Sequence, residues 1–372
     1  MKLLAAAGNI EALIAQIRLC APLQALCAQQ GWSLTLRSFH DCTRADLAAA
    51  DVLVLQRGAS ARAFGLQRAM RQRGAAVIYE IDDLLTEISP HISNQASVRA
   101  QLVWLRRCLA QSDVVTVSTA RLGHELGLPA ALVVPNHALA LDPDSRLPEQ
   151  GAGRVSLLFA SSDRLATEFI YPALRALQGD QVQVVVVGPP GEAFEAAGIA
   201  VQRHPLLPRE RFVALARSLP NPLAVIPLED SRFAACKSAV KWFDYAEAGV
   251  PALCSKVSPY AEVLDDGRTG GLVANDPVAW QAALQRAIAD PQSRHRMAQA
   301  GRDAVRQRHT LMHTVAAWQH AVEAAVQGRA STVLAPAALS WRVSEALTTV
   351  LEGSVLRLRR FNRARLARRA PR

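Results

Sequence analysis

Short, continuous runs of apolar residues alternate with helix-length segments along most of this chain. Clear examples are DVLVLQ at 51–56, DVVTVS at 113–118 and VQVVVV at 182–187. Strands that are apolar on both faces are typical of parallel sheets covered by helices on each side. The pattern therefore predicts an α/β protein built from doubly wound, Rossmann-like sheets.

A break in this alternation divides the chain. At 372 residues it is longer than one hydrophobic core usually supports, and residues 139–154 are rich in proline, glycine and acids. We predict a first domain at 1–138, a linker at 139–154, a second domain at 155–310, and helices with a basic tail at 311–372. Parallel sheets bind ligands at the carboxyl ends of their strands, so we expect a site in the cleft between the domains.

The positive charge of the chain lies mostly in its tail. The net charge is +10, and residues 357–372 carry eight arginines and no acid. The remainder is close to neutral, which argues against a nucleic-acid-binding protein. Apolar residues at 347, 351, 355, 358 and 361 recur at helical spacing beside these arginines. This pattern indicates either a peripheral foot on an anionic membrane or a disordered, solvated tail.

Several function classes are disfavoured by missing motifs. No glycine-rich dinucleotide fingerprint, phosphate loop or GxSxG elbow follows a predicted strand. The six cysteines lack metal-ligand spacing, and no apolar run is long enough to cross a bilayer. We therefore expect reduced thiols, no metal, and a cytoplasmic protein that can lie on the inner face of the cytoplasmic membrane.

One amphipathic helix is predicted from residue 233 to residue 248, capped by Asp230 or Ser231 and ended by Gly249. At 100° per residue its charged face and its apolar face lie opposite each other. The charged face holds Lys237, Lys241 and Asp244, and the apolar face holds Ala239, Trp242, Phe243 and Ala246. From spacing alone, the charged face fits an ordinary solvated surface as well as a ligand site.

The second half of the chain resembles the retaining GT-B glycosyltransferases of family 4, the group 1 glycosyl transferases. The resemblance runs in order through PLEDSRF (227–233), KSAVK (237–241), FDYAEAGVP (243–251), DDGRTGGLV (265–273) and DPVAWQAAL (276–284). The first half is similar to the acceptor domains of this group in RGAS (57–60), VIYEIDDLL (77–85), SDVVTVSTARL (112–122) and VVPN (133–136).

The resemblance implies a hexosyltransferase-type enzyme of polysaccharide biosynthesis. It would move a sugar from a nucleoside diphosphate sugar to a glycan or lipid-linked acceptor, with retention and without a metal. The donor-binding residues it implies are Ser162, Gly188, Arg232, Lys237, Lys241, Asp244 and Ser258, with Arg164 as a further cation. The turn at 255–260 would add backbone N–H groups to the donor diphosphate.

Lys237, Asp82 and Asp83 are the predicted catalytic residues. The two aspartates follow an acceptor-domain strand, where they either orient sugar hydroxyls or cap the next segment. The nearby His91 is interpreted as a loop residue. The glutamate that the family usually has eight residues before Asp244 is Cys236 in this chain.

Two alternative functions remain open. A nucleotide-sugar 2-epimerase of the same fold would isomerise its substrate without an acceptor. A non-catalytic assembly subunit would bind nucleotide sugar or glycan and release no nucleoside diphosphate.

Overall fold

The computed structural model describes residues 1–87, 95–162 and 168–328, which form two six-stranded parallel sheets. The first sheet consists of β1 (Lys2–Ala7), β2 (Ser33–Ser38), β3 (Val52–Gln56), β4 (Ala76–Ile81), β5 (Val114–Val117) and β6 (Leu132–Val133). The second consists of β7 (Val155–Ala160), β8 (Val182–Val187), β9 (Val201–His204), β10 (Pro222–Ile226), β11 (Ala252–Ser255) and β12 (Gly271–Val273). The predicted α/β class with two Rossmann-like sheets is confirmed.

Helices connect the strands and cover both faces of each sheet. Around the first sheet they are α1 (Leu13–Ala15), a π-helix (Gln16–Cys20), α2 (Ala21–Gln30), α3 (Arg44–Ala49), α4 (Ala61–Gln72), α5 (Gln95–Ala110) and α6 (Ala120–Glu125). The rest are a 3₁₀ turn (Glu168–Ile170), α7 (Tyr171–Ala176), α8 (Gly191–Ala196), α9 (Arg209–Ser218), α10 (Arg232–Ala235), α11 (Val240–Glu247), α12 (Tyr260–Val263), α13 (Pro277–Ala289), α14 (Pro291–Arg308) and α15 (Leu311–Gln327).

The strand order places a topological switch point in each sheet. The first sheet has the order β2-β1-β3-β4-β5-β6, and the second has the order β12-β11-β10-β7-β8-β9. The order therefore reverses between β1 and β3 in one sheet and between β7 and β10 in the other. Crevices form at such points, beyond the carboxyl ends of the strands.

The last described helix returns to the first domain. In α15, Val315, Trp318 and Val322 are buried in the same cluster as β1 and α2 residues. The Trp318 indole N–H donates to the carbonyl oxygen of Arg18 at 2.9 Å. The chain therefore crosses between the two domains twice within the part that the structure describes.

The predicted linker lies along the second domain and is held by arginine side chains. Arg302 donates to the carbonyl of Ser145 at 2.6 Å, and Arg306 donates to the carbonyl of Pro143 at 2.9 Å. These charge-assisted hydrogen bonds satisfy backbone carbonyls that no sheet or helix pairs. The linker is therefore packed against the second domain.

Candidate active site

A cavity of about 570 Å³ lies between the carboxyl ends of the two sheets. Its first-domain wall includes Ile14, Arg57, Asp82, Asp83 and Asn136, and its second-domain wall includes Ser161, Ser162, Leu206, Arg209, Glu229, Lys237, Ser238, Lys241, Asp244 and Tyr260. Side chains from both switch points and from both domains meet here. This is the interdomain cleft that the topology predicts for a ligand.

The helix predicted at 233–248 is two helices with a non-helical link. Ser231 caps α10 by accepting from the Ala234 N–H, and α11 begins only at Val240. The break has a physical cause in the contacts of α10 with the first domain. Phe233 and Cys236 are buried in a first-domain cluster, and the Thr119 hydroxyl donates to the Cys236 carbonyl at 3.0 Å. Lys237 therefore lies in the link, and the prediction that one continuous helix carries it is wrong.

The C-terminal part of the predicted helix agrees with the structure. Trp242, Phe243 and Ala246 are buried in the second-domain core, as their spacing predicts. Gly249 ends the helix with a φ of +73°. A glycine tolerates this left-handed conformation without the steric cost that a Cβ adds.

Lys237 lies close to an aspartate of the other domain. Its Nζ is 3.5 Å from Oδ1 of Asp83 and 4.4 Å from the centre of the Phe233 ring. About one third of its side chain is exposed, at 34%. The ammonium group is thus accessible from the cavity while it is held between a carboxylate and an aromatic ring.

Asp82 and Asp83 follow β4 and share one arginine. The Arg57 guanidinium donates to both oxygens of Asp82 and to Oδ2 of Asp83, the last at 2.5 Å. Burial would raise the pKa of Asp83, but the charges of Lys237 and Arg57 outweigh this effect and lower it. Both carboxylates therefore face the cleft as part of a charged cluster. Asp82 and Asp83 do not cap a following helix, because none begins within the next residues that the structure describes.

Lys241 is the second residue of α11, directly after the link. Its Nζ is 3.4 Å from the hydroxyl oxygen of Ser161, which follows β7. Ser162, the next residue, also lines the cavity. Two lysines of the α10–α11 segment and two serines after β7 thus border the second-domain side of the same space.

Asp244 lines the cavity but is not the solvated carboxylate that helical spacing predicts. It is 9% exposed, and the Arg209 guanidinium donates to both of its oxygens. Its Oδ1 also accepts from the Leu139 N–H at 3.2 Å. The alternative of an ordinary solvated surface position is therefore wrong for Asp244, because α9 brings Arg209 over this helix face, which the helix sequence alone does not show. Its predicted place in the donor site stays a prediction.

Three other predicted donor residues, Gly188, Arg232 and Ser258, lie outside the cavity lining. Gly188 has a φ of +96°, and a Cβ there would be 2.1 Å from the Ser161 carbonyl oxygen. Arg232 forms ion pairs with Glu87 and Glu125 of the first domain. Gly188 therefore shapes the backbone beside the cavity, and Arg232 joins the two domains.

Polar groups of the turn after β11 form hydrogen bonds within the protein. The Ser258 hydroxyl hydrogen-bonds the Ala235 carbonyl at 3.0 Å and a Glu262 carboxylate oxygen at 2.6 Å. The Lys256 N–H donates to the carbonyl of Val273 at 2.7 Å. The expectation that this turn presents that N–H group to a diphosphate is wrong, because the group already donates to a carbonyl of β12. Arg164 and His91 lie outside the described residues.

A buried polar network that the sequence analysis did not assign lies beneath the cleft. Arg18 and Glu80 form an ion pair with no exposed side-chain surface, at 2.7 Å. Arg18 also donates to Oδ1 of Asn136, whose amide nitrogen donates to the Ser238 hydroxyl at 2.6 Å. This contact links the two domains. Its sequence signals were a glutamate inside an apolar strand and an asparagine directly after one.

A second, smaller cavity of about 340 Å³ lies at the β1–β3 switch point of the first domain. Its lining includes Asn9, His40, Gln56 and Ser60, and Arg57 borders it as well as the larger cavity. Arg57 is thus one of three residues, with Ala12 and Ile14, that line both cavities.

Comparison with known proteins identifies the fold. Residues 164–320 match the family model described as Glycosyl transferase-like. Sucrose-phosphate synthase from Thermosynechococcus elongatus superposes with a TM-score of 0.63 at 14% identity, covering 86% of this chain and 97% of the other. Anabaena HepE in complex with UDP-glucose gives a TM-score of 0.57 at 14% identity, covering 87% and 98%.

The chain has the GT-B fold. The sequence-based prediction of this fold is confirmed, and the matched residues 164–320 lie mainly in the second domain of this GT-B protein. Staphylococcus aureus MnaA in complex with UDP is also similar, with a TM-score of 0.50 at 12% identity over 82% of this chain and 94% of the other. No curated protein sequence matches the chain.

All six cysteines of this GT-B protein are buried, and none forms a disulfide. Within residues 1–87, 95–162 and 168–328, no group of three or more His, Cys, Asp or Glu side chains could hold a metal ion. No helix in these ranges is long and apolar enough to cross a membrane.

Proposed function

We propose that this GT-B protein transfers a sugar from a nucleoside diphosphate sugar to an acceptor hydroxyl. The observation that carries the proposal is the position of Lys237 and Lys241. Both lie in the segment that matches the glycosyl transferase-like family, and both line the interdomain cavity. The similarity to HepE in complex with UDP-glucose supports the same class of donor.

The second-domain wall supplies charge for the leaving group. Cleavage of the sugar–phosphate bond leaves a nucleoside diphosphate, on which negative charge develops in the transition state. Preorganised cations stabilise such charge strongly in a partly enclosed site. Lys237 is near enough to Asp83 to be held in place, and the donor diphosphate would compete with that carboxylate for the ammonium group.

The first-domain wall would receive the acceptor. Asp82 and Asp83 face the cleft from the carboxyl end of β4, opposite the lysines. Carboxylates accept hydrogen bonds from sugar hydroxyls, so the two aspartates would orient the acceptor toward the donor. Burial of Asp83 is outweighed by the charges of Lys237 and Arg57, which lower its pKa and favour the ionised form that accepts such bonds.

Retention and independence from metal are parts of the same proposal. The family resemblance favours front-face attack assisted by the donor phosphate, with Lys237 and Lys241 neutralising the leaving group. We expect turnover to persist in EDTA. A complete loss of activity that magnesium or manganese restores would contradict this. Analysis of the anomeric configuration of the product would test retention.

Nucleotide binding is the first experiment. Thermal shifts with UDP, GDP, dTDP, ADP and CMP at millimolar concentration should show stabilisation by at least one of them, because a ligand that binds only the folded state raises its stability. Lys237→Ala should reduce that shift, whereas Lys256→Ala, an exposed lysine outside the cavity lining, should leave it unchanged. Absence of any shift would contradict the donor site.

The corresponding sugar nucleotide then separates the three functions. A glycosyltransferase releases nucleoside diphosphate in the presence of an acceptor. An epimerase isomerises the sugar nucleotide alone, and an assembly subunit binds it without either reaction. Product analysis by mass spectrometry and NMR, with and without glycan acceptors, gives a different result for each.

We further propose that the basic tail is a peripheral membrane foot and that the acceptor is a lipid-linked glycan or a surface polysaccharide precursor. The support is the sequence of residues 345–372, which lie outside the described residues. Each basic residue near an anionic leaflet contributes about 1 kcal/mol of attraction. Sedimentation with anionic liposomes, but not with neutral ones, should depend on these residues. Equal recovery with both lipids, or after truncation at 344, would contradict the foot.

A further inference from the structure

The backbone at Arg57 has an unusual conformation for a residue with a side chain. Its φ is +48°, in the left-handed region that favours glycine. Its N–H donates to the Glu80 carbonyl at 2.9 Å, and the chain then turns tightly, since a Cβ on Gly58 would be 2.7 Å from Leu55 Cδ2. Such outliers persist where the surrounding structure holds them, and they cluster at functional sites.

This conformation directs the guanidinium at two carboxylates. Arg57 Nη2 is 2.7 Å from Oδ2 of Asp82 and 2.5 Å from Oδ2 of Asp83, and Nε donates to Oδ1 of Asp82. One planar group therefore fixes both aspartates relative to each other. A planar fork matches this arrangement, which a single ammonium cannot reproduce.

The charges around the pair leave Arg57 as the main cation on its side of the cleft. Arg18 is occupied by Glu80 in a fully buried pair, and Lys237 approaches Asp83 from the second domain at 3.5 Å. The nearby Cys236 is uncharged, because burial, followed by the charge of Glu125, raises its pKa to about 11. Without Arg57, two adjacent carboxylates would face each other with only Lys237 to balance them.

We propose that Arg57 is a positioning residue for the transfer reaction, which holds Asp82 and Asp83 in place at the cleft. The inference rests on the proposed function for its catalytic consequence, since it gives Arg57 no contact with substrate. The role of Arg57 has two separable components. The positive charge of Arg57 adds to that of Lys237 in lowering the pKa of Asp83, and the planar fork sets the geometry of both carboxylates.

The experiment compares Arg57→Gln with Arg57→Lys in the full chain. Aspartate carboxyl carbons labelled with ¹³C are followed by NMR through a pH titration, and the signals of the pair are assigned with Asp82→Asn and Asp83→Asn. In Arg57→Gln the pair should titrate about one to two pH units higher than in the wild type, the usual effect of an adjacent arginine. Arg57→Lys should recover most of that shift.

Kinetic measurements on the two variants separate the effect of the fork geometry from the effect of the positive charge. We expect kcat to fall about 10- to 100-fold in both variants with a smaller change in KM, because misplacement of a catalytic group by about 1 Å can cost 100-fold. The acidic limb of the pH–rate profile should move upward in Arg57→Gln and much less in Arg57→Lys. Arg71→Gln is the matched control, since it removes an arginine–aspartate pair of the same domain outside both cavities.

The outcomes keep the two proposals distinct. An unchanged titration of the pair in folded Arg57→Gln overturns the positioning role, even if the wild type transfers sugar. If the titration shifts as expected but the wild type turns over no donor, the role of Arg57 in holding the carboxylates is supported and the proposed function is contradicted. If Arg57→Gln does not fold, wild-type kcat in Arg57→Lys overturns the requirement for the fork, and a reduced kcat sustains it.

Discussion

Lys237 Nζ lies 3.5 Å from Asp83 Oδ1, and the two residues belong to different domains. Their elements converge because α10 is docked on the first domain while α11 belongs to the second-domain core. The same ammonium group would be the cation that a donor diphosphate meets. The opening or closing of the cleft therefore changes how strongly Asp83 competes with the donor for the Lys237 ammonium group.

Lys237→Ala should lower kcat by about 100-fold and change KM less, because a cation stabilises charge that develops mainly in the transition state. Steady-state kinetics on the donor found by the thermal-shift screen measure this. The exposed Lys256→Ala is the matched control. Wild-type kcat in a folded Lys237→Ala protein would remove this residue from the catalytic site.

Asp244→Asn should destabilise the protein by about 3 kcal/mol, since it leaves the buried Arg209 guanidinium without its counter-charge. Denaturant unfolding measures the loss. Asp303→Asn, at an exposed position of α14, should stay within about 0.5 kcal/mol of the wild type. The pair replacement Arg209→Met with Asp244→Leu should recover much of the stability. Equal stability of Asp244→Asn and the wild type would show that the ion pair is not structural.

Acid should destabilise the fold partly through His137. Burial, followed by the positive charge of Arg209, lowers the pKa of this histidine to about 4, and its Nδ1 has no hydrogen-bond partner. The unfolded chain binds a proton near pH 6.5 and the folded chain does not, so stability falls as pH drops from 6.5 toward 4. His137 should account for a loss of about 2 kcal/mol between pH 7 and pH 5.

His137→Gln tests this linkage by unfolding at both pH values. The variant should lose less stability than the wild type between pH 7 and pH 5, and the exposed His295→Gln should lose as much as the wild type. An identical pH dependence in His137→Gln and the wild type would mean that His137 titrates normally in the folded state.

Arg232→Ala should leave nucleotide affinity within about twofold, because the side chain pairs with Glu87 and Glu125 and does not line the cavity. Lys241→Ala, in the same segment and on the cavity wall, should weaken binding more. Titration calorimetry compares the two. A larger loss in Arg232→Ala than in Lys241→Ala would return Arg232 to the donor site.

The strand positions were predictable because burial on both faces leaves a strong local signal. The predicted strand at 182–187 coincides with β8, and the apolar runs at 51–56 and 113–118 contain β3 and β5. The short helix α3 was not predicted, although its start has a legible signal in the sequence. In α3, Thr43 accepts from the Asp46 N–H while Asp46 accepts from the Thr43 N–H. This reciprocal cap is visible in the sequence as threonine followed three residues later by an acid.

The site was harder to predict because its decisive contacts join distant segments. Helical spacing placed Lys237 and Asp244 on one face, and both do line the cavity. Spacing did not show that Arg209, 35 residues before Asp244, covers that carboxylate. It also gave no role to Arg57, whose function depends on a left-handed backbone and on aspartates 25 and 26 residues away. Contacts of this kind depend on the tertiary fold and leave no periodic pattern.

The two crossings of the chain between domains meet side by side. The Ala138 N–H, where the chain first leaves the first domain, donates to the carbonyl of His309, where the chain returns, at 2.8 Å. Two interdomain segments that are hydrogen-bonded at one place form a hinge about which one domain can rotate relative to the other. A small rotation there would be amplified at the distant rim of the cleft. A disulfide between cysteines introduced at 138 and 309 would therefore restrict the opening of the cleft without altering any residue that lines it.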